Sequence, residues 1–306
     1  MWPLRHRRCD GQRVTTERRW TPATRVGSVP AATRPRTEAG RQLAVREIIV
    51  LKGLAGKTVL VTGAAGNIGA EAVKRFVDEG CTVVAGDISG QAVEAIAAIH
   101  GDRVVALAAD VSTFDGAAAC VAAATSFGGL DLAFINAGVE CKAAPVADFD
   151  LADYERVFGV NVKGAFLTAQ AVVRHLIDAG RSGGVLFTAS IAGLRGSPTT
   201  SIYNASKHAV IGLARSLALE VGPAGIRVNV LCPGAVDSRM MRSLEQSIGS
   251  VAGAAAGDVK AGIEAATSLG RYATPEEIAA TAAWILSDEV PYCHGEIFTV
   301  GGGMMA

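Results

Sequence analysis

The chain has 306 residues, half of them hydrophobic and 19% charged, with a formal net charge of zero. That composition supports a sizeable buried core and excludes wholesale disorder. Residues 1–50 hold eleven Arg, no Lys and four acids, and the mildly acidic remainder gives no reason to expect nucleic acid as a partner.

Residues 1–46, beginning "MWPLRHRRCDGQRVTTERRW", are rich in Arg, Thr and Pro and show no sustained periodicity. They read as a disordered tail or an over-long start. A transit-type targeting segment is the alternative, weakened by the prolines and the lack of amphipathicity. The globular part is expected to be one domain over 47–306.

From residue 55 onward, short β-rich runs alternate with longer Ala-rich helical segments. The predicted strands are 57–63, 81–87, 103–110, 131–138, 183–190, 225–234 and 295–302. Near-continuous apolar strands imply burial on both faces. Regular alternation of strand and helix then predicts a single doubly wound α/β domain of Rossmann type, a seven-stranded parallel sheet between two helical layers.

"VLVTGAAGNIGAEAVKRF" (59–76) reads as strand, glycine-bearing turn and helix. Gly63 suits the sharp turn and Gly69 the close packing of helix on strand, while the helix N-terminus offers N–H groups to a pyrophosphate. The spacing is G-x-x-G-x-x-G, a weak signal alone. Asp87 strengthens it, because a carboxylate ending the second strand accepts hydrogen bonds from the adenosine ribose and repels a 2′-phosphate. NAD is therefore expected rather than NADP, with a helix N-cap as the bland reading of Asp87.

In "SIYNASKHAV" (201–210), helical spacing puts Tyr203 and Lys207 on one helix face. A free tyrosine has a pKa near ~10, and a neighbouring ammonium favours its phenolate. Lys207, together with other positive charge, is thus expected to draw Tyr203 toward neutrality as a general acid/base. By itself such a pair more often means a packed ring and a surface lysine.

The ordered set "TGAAGNIG" (62–69), "NAG" (136–138), "NVKGAF" from Asn161, "TASIAG" with Ser190, "YNASK" and "RVNVLCPGAV" resembles the short-chain dehydrogenase/reductase family over residues 55–306. The resemblance implies that Ser190 orients a substrate oxygen, Tyr203 exchanges a proton with it, Lys207 binds the nicotinamide ribose, and Asn161 holds a water of a proton relay. It also implies a cofactor groove built by Thr62, Gly63, Asn67, Ile68, Gly69, Asp87, Asp110, Val111, Asn136, Ala137, Gly138, Pro233, Gly234, Val236 and Ser238, together with Tyr203 and Lys207. The implied activity is NAD-dependent interconversion of a small secondary alcohol and a ketone, by a homotetramer or homodimer.

Three departures from the family pattern stand out. Asn67 replaces the middle glycine, where Asn tolerates positive φ better than most residues. Ser238 replaces a threonine, and "VGGG" replaces "VDGG" near the C-terminus. The rival readings are a reductase of carrier-bound 3-oxoacyl groups using NADP, and a catalytically silent dinucleotide-binding regulator.

The substrate pocket is expected from 139–145, 191–198 and 237–268, the last reading as a mobile lid. Met240 and Met241 suit an apolar ligand, whereas Glu140 and Arg195 read as solvated charges. No apolar run reaches the ~18 residues of a membrane span. Cys9, Cys81, Cys120, Cys141, Cys232 and Cys293 lack paired spacing, and the five histidines form no metal-spaced cluster. No metal is expected, and a reducing, cytoplasmic compartment fits.

Overall fold

A computed structural model describes residues 50–306; the reading of residues 1–46 lies outside the described residues. The chain runs β1 (Thr58–Thr62), α1 (Asn67–Asp78), β2 (Thr82–Asp87), α2 (Gly90–His100), β3 (Val104–Ala108), α3 (Phe114–Ala123), β4 (Leu132–Ile135) and α4 (Leu151–Phe158). It continues through α5 (Ala165–Asp178), β5 (Gly183–Thr188), α6 (Ser201–Val221), β6 (Ile226–Pro233), α7 (Arg239–Ala252), α8 (Ala256–Ala265), α9 (Pro275–Leu286) and β7 (Ile297–Val300).

The seven strands pair in parallel in the order β3-β2-β1-β4-β5-β6-β7. Side chains alternate between two cores, as strand geometry requires. In β1, Leu60 enters one core while Val59 and Val61 enter the other. Cys120 of α3, Val172 of α5 and Val210 of α6 close the first core. Val73 of α1, Val93 of α2 and Ile278 of α9 close the second. This is the layered α/β sheet expected from the alternation of elements.

Each predicted strand is present, most of them shorter at the C-terminal end. Residues 136–138, 189–190 and 234 lie beyond the strand ends, where the sheet opens. The strand order reverses between β1 and β4, so the loops after them diverge and leave a crevice at the carboxyl edge. Residues 237–268 contain α7 and α8.

Two local devices hold the frame. Between α4 and α5 a π-helical turn, Gly159–Gly164, carries Asn161 inward. At the far edge, Arg227 of β6 donates from its guanidinium to the carbonyls of Ile285, Leu286, Ser287, Val290 and Cys293, at 3.0–3.5 Å. These include the last carbonyls of α9, which lack helical partners.

Candidate active site

The turn after β1 is glycine-dependent at two points. Gly63 has φ +65°, and a Cβ there would approach Ala137 Cα at 2.8 Å. A Cβ at Gly69 would meet the Gly63 carbonyl oxygen at 2.1 Å. Only glycine lets α1 pack this closely on the turn, which fits the cradle that a dinucleotide phosphate requires. Asn67, by contrast, needs no positive φ. It is the first residue of α1, and Thr199 is the one non-glycine residue with positive φ among the described residues.

Asp87 ends β2 and faces the same crevice. Its carboxylate accepts from the Ala65 N–H and the Ser89 N–H, each at 2.9 Å. Ser89, not Asp87, occupies the N-cap position of α2. The remaining lone pairs of Asp87 are available to a hydroxyl donor in the crevice.

The crevice encloses about 1080 Å³, room for a dinucleotide and a small substrate together. Gly63, Asn67, Ile68, Asp87, Asp110, Val111, Asn136, Ala137, Gly138, Pro233, Gly234, Val236 and Ser238 line it, and so do Ser190, Tyr203 and Lys207. Three anticipated site residues stand behind the wall instead. Thr62 is fully buried, its hydroxyl accepting the N–H groups of Asn136 and Ala137 at 3.0 and 3.2 Å. Gly69 is buried against the turn.

Asn161 is the third, 1% exposed. Its oxygen accepts from the Val139 N–H at 2.8 Å, and its amide donates to the Val139 carbonyl and the Ser206 hydroxyl, each at 3.0 Å. Both amide hydrogens are thereby used, so Asn161 positions the strand end beside Lys207. Only its second oxygen lone pair remains for a water.

Lys207 is 4% exposed, and its ammonium donates to the Thr188 carbonyl at 3.0 Å, 5.6 Å from the centre of the Tyr203 ring. Burial pulls its pKa down to about 8. Burial also pushes the Tyr203 phenol up to about 12, against the pull of the adjacent Ser190 hydroxyl. Lys207 therefore does not by itself make Tyr203 acidic, and the sequence expectation joins it to further positive charge. Desolvation of the phenol is the largest cause of the upward shift. The Glu140 carboxylate adds to the upward shift.

All three predicted pocket segments contribute walls, including Glu140, Arg195, Met240 and Met241. The methionines are half-buried and face the crevice. Sequence reading missed Thr188, which anchors Lys207, and Arg156, Thr199 and Met304, which line the crevice. A β-branched residue at φ +63°, as Thr199 is, costs of order 1–3 kcal/mol and has no sequence signature.

Among the described residues no group of three or more His, Cys, Asp or Glu is arranged to hold a metal, and no helix is long and apolar enough to cross a membrane.

A glycine-turn crevice beside a Ser–Tyr–Lys cluster defines a dinucleotide-fold oxidoreductase. A family model described as enoyl-(acyl carrier protein) reductase matches residues 63–305. A 2,5-dichloro-2,5-cyclohexadiene-1,4-diol dehydrogenase of Sphingobium indicum is 35% identical, covering 84% of this chain and 100% of its own. A 3-alpha-(or 20-beta)-hydroxysteroid dehydrogenase of Mycobacterium bovis is 37% identical, covering 83% of this chain and 91% of its own. The solved structure of NAD+-bound xylitol dehydrogenase aligns with a TM-score of 0.78 at 31% identity, covering 82% of this chain and 100% of its own. The chain belongs to the short-chain dehydrogenase/reductase family, and is an oxidoreductase of CH–OH groups.

Proposed function

We propose that this protein interconverts a secondary alcohol and a ketone with NAD rather than NADP, running mainly toward oxidation. The observation that carries the reading is the meeting of Asp87, Ser190, Tyr203 and Lys207 on one crevice.

In the oxidative direction Ser190 donates a hydrogen bond to the substrate oxygen and fixes its orientation. The Tyr203 oxygen takes the hydroxyl proton as the C–H bond breaks. Lys207, pinned by Thr188, would hold a ribose hydroxyl of the dinucleotide and keeps positive charge beside the phenol. When bound, the dinucleotide supplies the hydride acceptor and, in its oxidised form, a further positive charge. That second charge supports the phenolate where Lys207 alone does not. Asn161 holds the loop at Val139 and offers one lone pair toward a water. In reduction the same groups act in reverse, with Tyr203 as acid.

Asp87 supports NAD, because a 2′-phosphate would bring like charge against its carboxylate. Of the similar proteins named above, two are called a cyclohexadienediol dehydrogenase and a hydroxysteroid dehydrogenase and the third a xylitol dehydrogenase. The apolar wall of Met240, Met241, Leu244 and Ile248 favours a carbocyclic substrate over an open-chain polyol. Helices α4, α5 and α6 are the surfaces we assign to subunit pairing. The free cysteines Cys81, Cys120, Cys141, Cys232 and Cys293 are compatible with a cytoplasmic setting.

Initial rates with NAD+ and NADP+ across a panel of secondary alcohols test the reading. Turnover of at least one cyclic alcohol, with higher kcat/KM for NAD+, is the expected result. Lack of turnover with either dinucleotide, in both directions, would overturn it.

A further inference from the structure

Asn67 stands where a glycine is expected, yet its backbone is helical and makes no demand for glycine. Its side chain reaches across 172 residues of sequence. The first amide of α7, the Arg239 N–H, donates to Asn67 Oδ1 at 3.0 Å. Because the donor is a backbone N–H, the oxygen of the carboxamide must lie on that side, and the NH2 group faces away. That NH2 has no hydrogen-bond partner among the described residues, and Asn67 lines the crevice at the glycine turn.

Helix α7 forms the wall opposite the turn, contributing Met240, Met241, Leu244 and Ile248. Few polar ties hold it to the body. Ser238 Oγ caps it internally, accepting the Met241 N–H at 3.1 Å. Ser247 Oγ accepts the Ala143 N–H at 2.7 Å, a tie to the loop after β4. Asn67 supplies the tie at the N-terminal end, on the side of the dinucleotide turn.

We propose that Asn67 is a positioning residue coupling diphosphate binding to closure of α7: Oδ1 holds the lid while Nδ2 donates to the dinucleotide diphosphate. The inference rests on the dinucleotide reading above. Diphosphate fixes the carboxamide, the fixed carboxamide orders the first turn of α7, and the ordered turn completes the substrate wall. By linkage, a closed lid tightens diphosphate binding by the same factor.

The test uses the full chain with ADP-ribose, which carries the diphosphate, and adenosine, which does not. Binding is measured by calorimetry and α7 order by amide hydrogen exchange over 239–248. In the wild type, ADP-ribose slows exchange in the first turn of α7 and adenosine leaves it unchanged. Asn67→Gly speeds that exchange in the ligand-free protein by about fivefold or more, weakens ADP-ribose by about tenfold and leaves adenosine affinity unchanged. Asn67→Asp retains the acceptor for Arg239, so ligand-free exchange stays as in the wild type, while its charge weakens ADP-ribose by at least about tenfold.

Wild-type exchange in Asn67→Gly, or ADP-ribose affinity within about twofold in both variants, would overturn the coupling. Failure of the wild type to bind either probe would instead bring down the dinucleotide reading, and the coupling with it.

Discussion

The Lys207 ammonium donates to the carbonyl of Thr188 at 3.0 Å and lies 5.6 Å from the centre of the Tyr203 ring. Its charge is thus held by β5 as well as by α6, and stays beside the phenol whatever the substrate. Conversion of Tyr203 to Phe removes the proton acceptor and little volume. We expect kcat to fall by about 10²–10⁴-fold, far more than any change in NAD affinity measured by calorimetry. Full turnover in the variant would assign the proton transfer to another group.

The pH dependence follows from the same pair. The protein's own groups hold Tyr203 up at about 12 and Lys207 down at about 8. A raised phenol pKa leaves Tyr203 protonated at neutral pH, the form that serves ketone reduction. Oxidation needs the phenolate, so its kcat/KM should climb from pH 6 into the alkaline range. Reduction should be flat near pH 6–7 and decline above about pH 8, as Lys207 loses its proton. Parallel pH profiles in both directions check this, and an oxidation rate flat from pH 6 to 10 would contradict it.

Lys207 is also expected to cost stability. Its folded pKa, about 8, is below the ordinary lysine value of 10.5. The penalty is fully present below about pH 8 and is relieved as pH rises toward 10.5. Lys207→Met should therefore raise stability at pH 7 by about 1–3 kcal/mol while abolishing activity. Chemical denaturation at pH 7 and pH 10 would show the gain shrinking at the higher pH.

Asp87 makes a separable contribution. Asp87→Asn keeps an oxygen for the Ala65 N–H and removes the negative charge. The NADP+ to NAD+ ratio of kcat/KM should rise by about tenfold or more, equivalent to about 1.4 kcal/mol. An unchanged ratio would move cofactor choice to another part of the crevice.

Asn161→Ala removes hydrogen bonds to both backbone groups of Val139 and to Ser206. A loss of about 1–3 kcal/mol in unfolding free energy is expected. A variant as stable as the wild type would mean that water replaces all three bonds.

The layered sheet was legible because strand burial and helix periodicity are local signals, and β1 to β7 each carry one. Gly63 and Gly69 were legible because turn geometry demands glycine at that spacing. Long-range pairings were not. Nothing near Asn67 announces Arg239, and nothing near Ser247 announces Ala143. The direction of the Tyr203 shift was also hidden, since i,i+4 spacing reveals the ammonium but not that Lys207 is buried and the Tyr203 ring half-buried. Asn161 was found by motif, but its full engagement with Val139 and Ser206 depends on the π-helical turn.

Arg227 sets a full charge against five backbone carbonyls, with Asp288 acting on it only through its charge. Acid leaves such an arrangement intact, because carbonyls do not protonate in the range where carboxylates do. Added electrolyte weakens it little, since partly buried contacts are poorly screened. The edge of the sheet around β6, α9 and β7 should consequently hold together in brine and in mild acid, conditions that loosen the surface ion pairs elsewhere on the molecule.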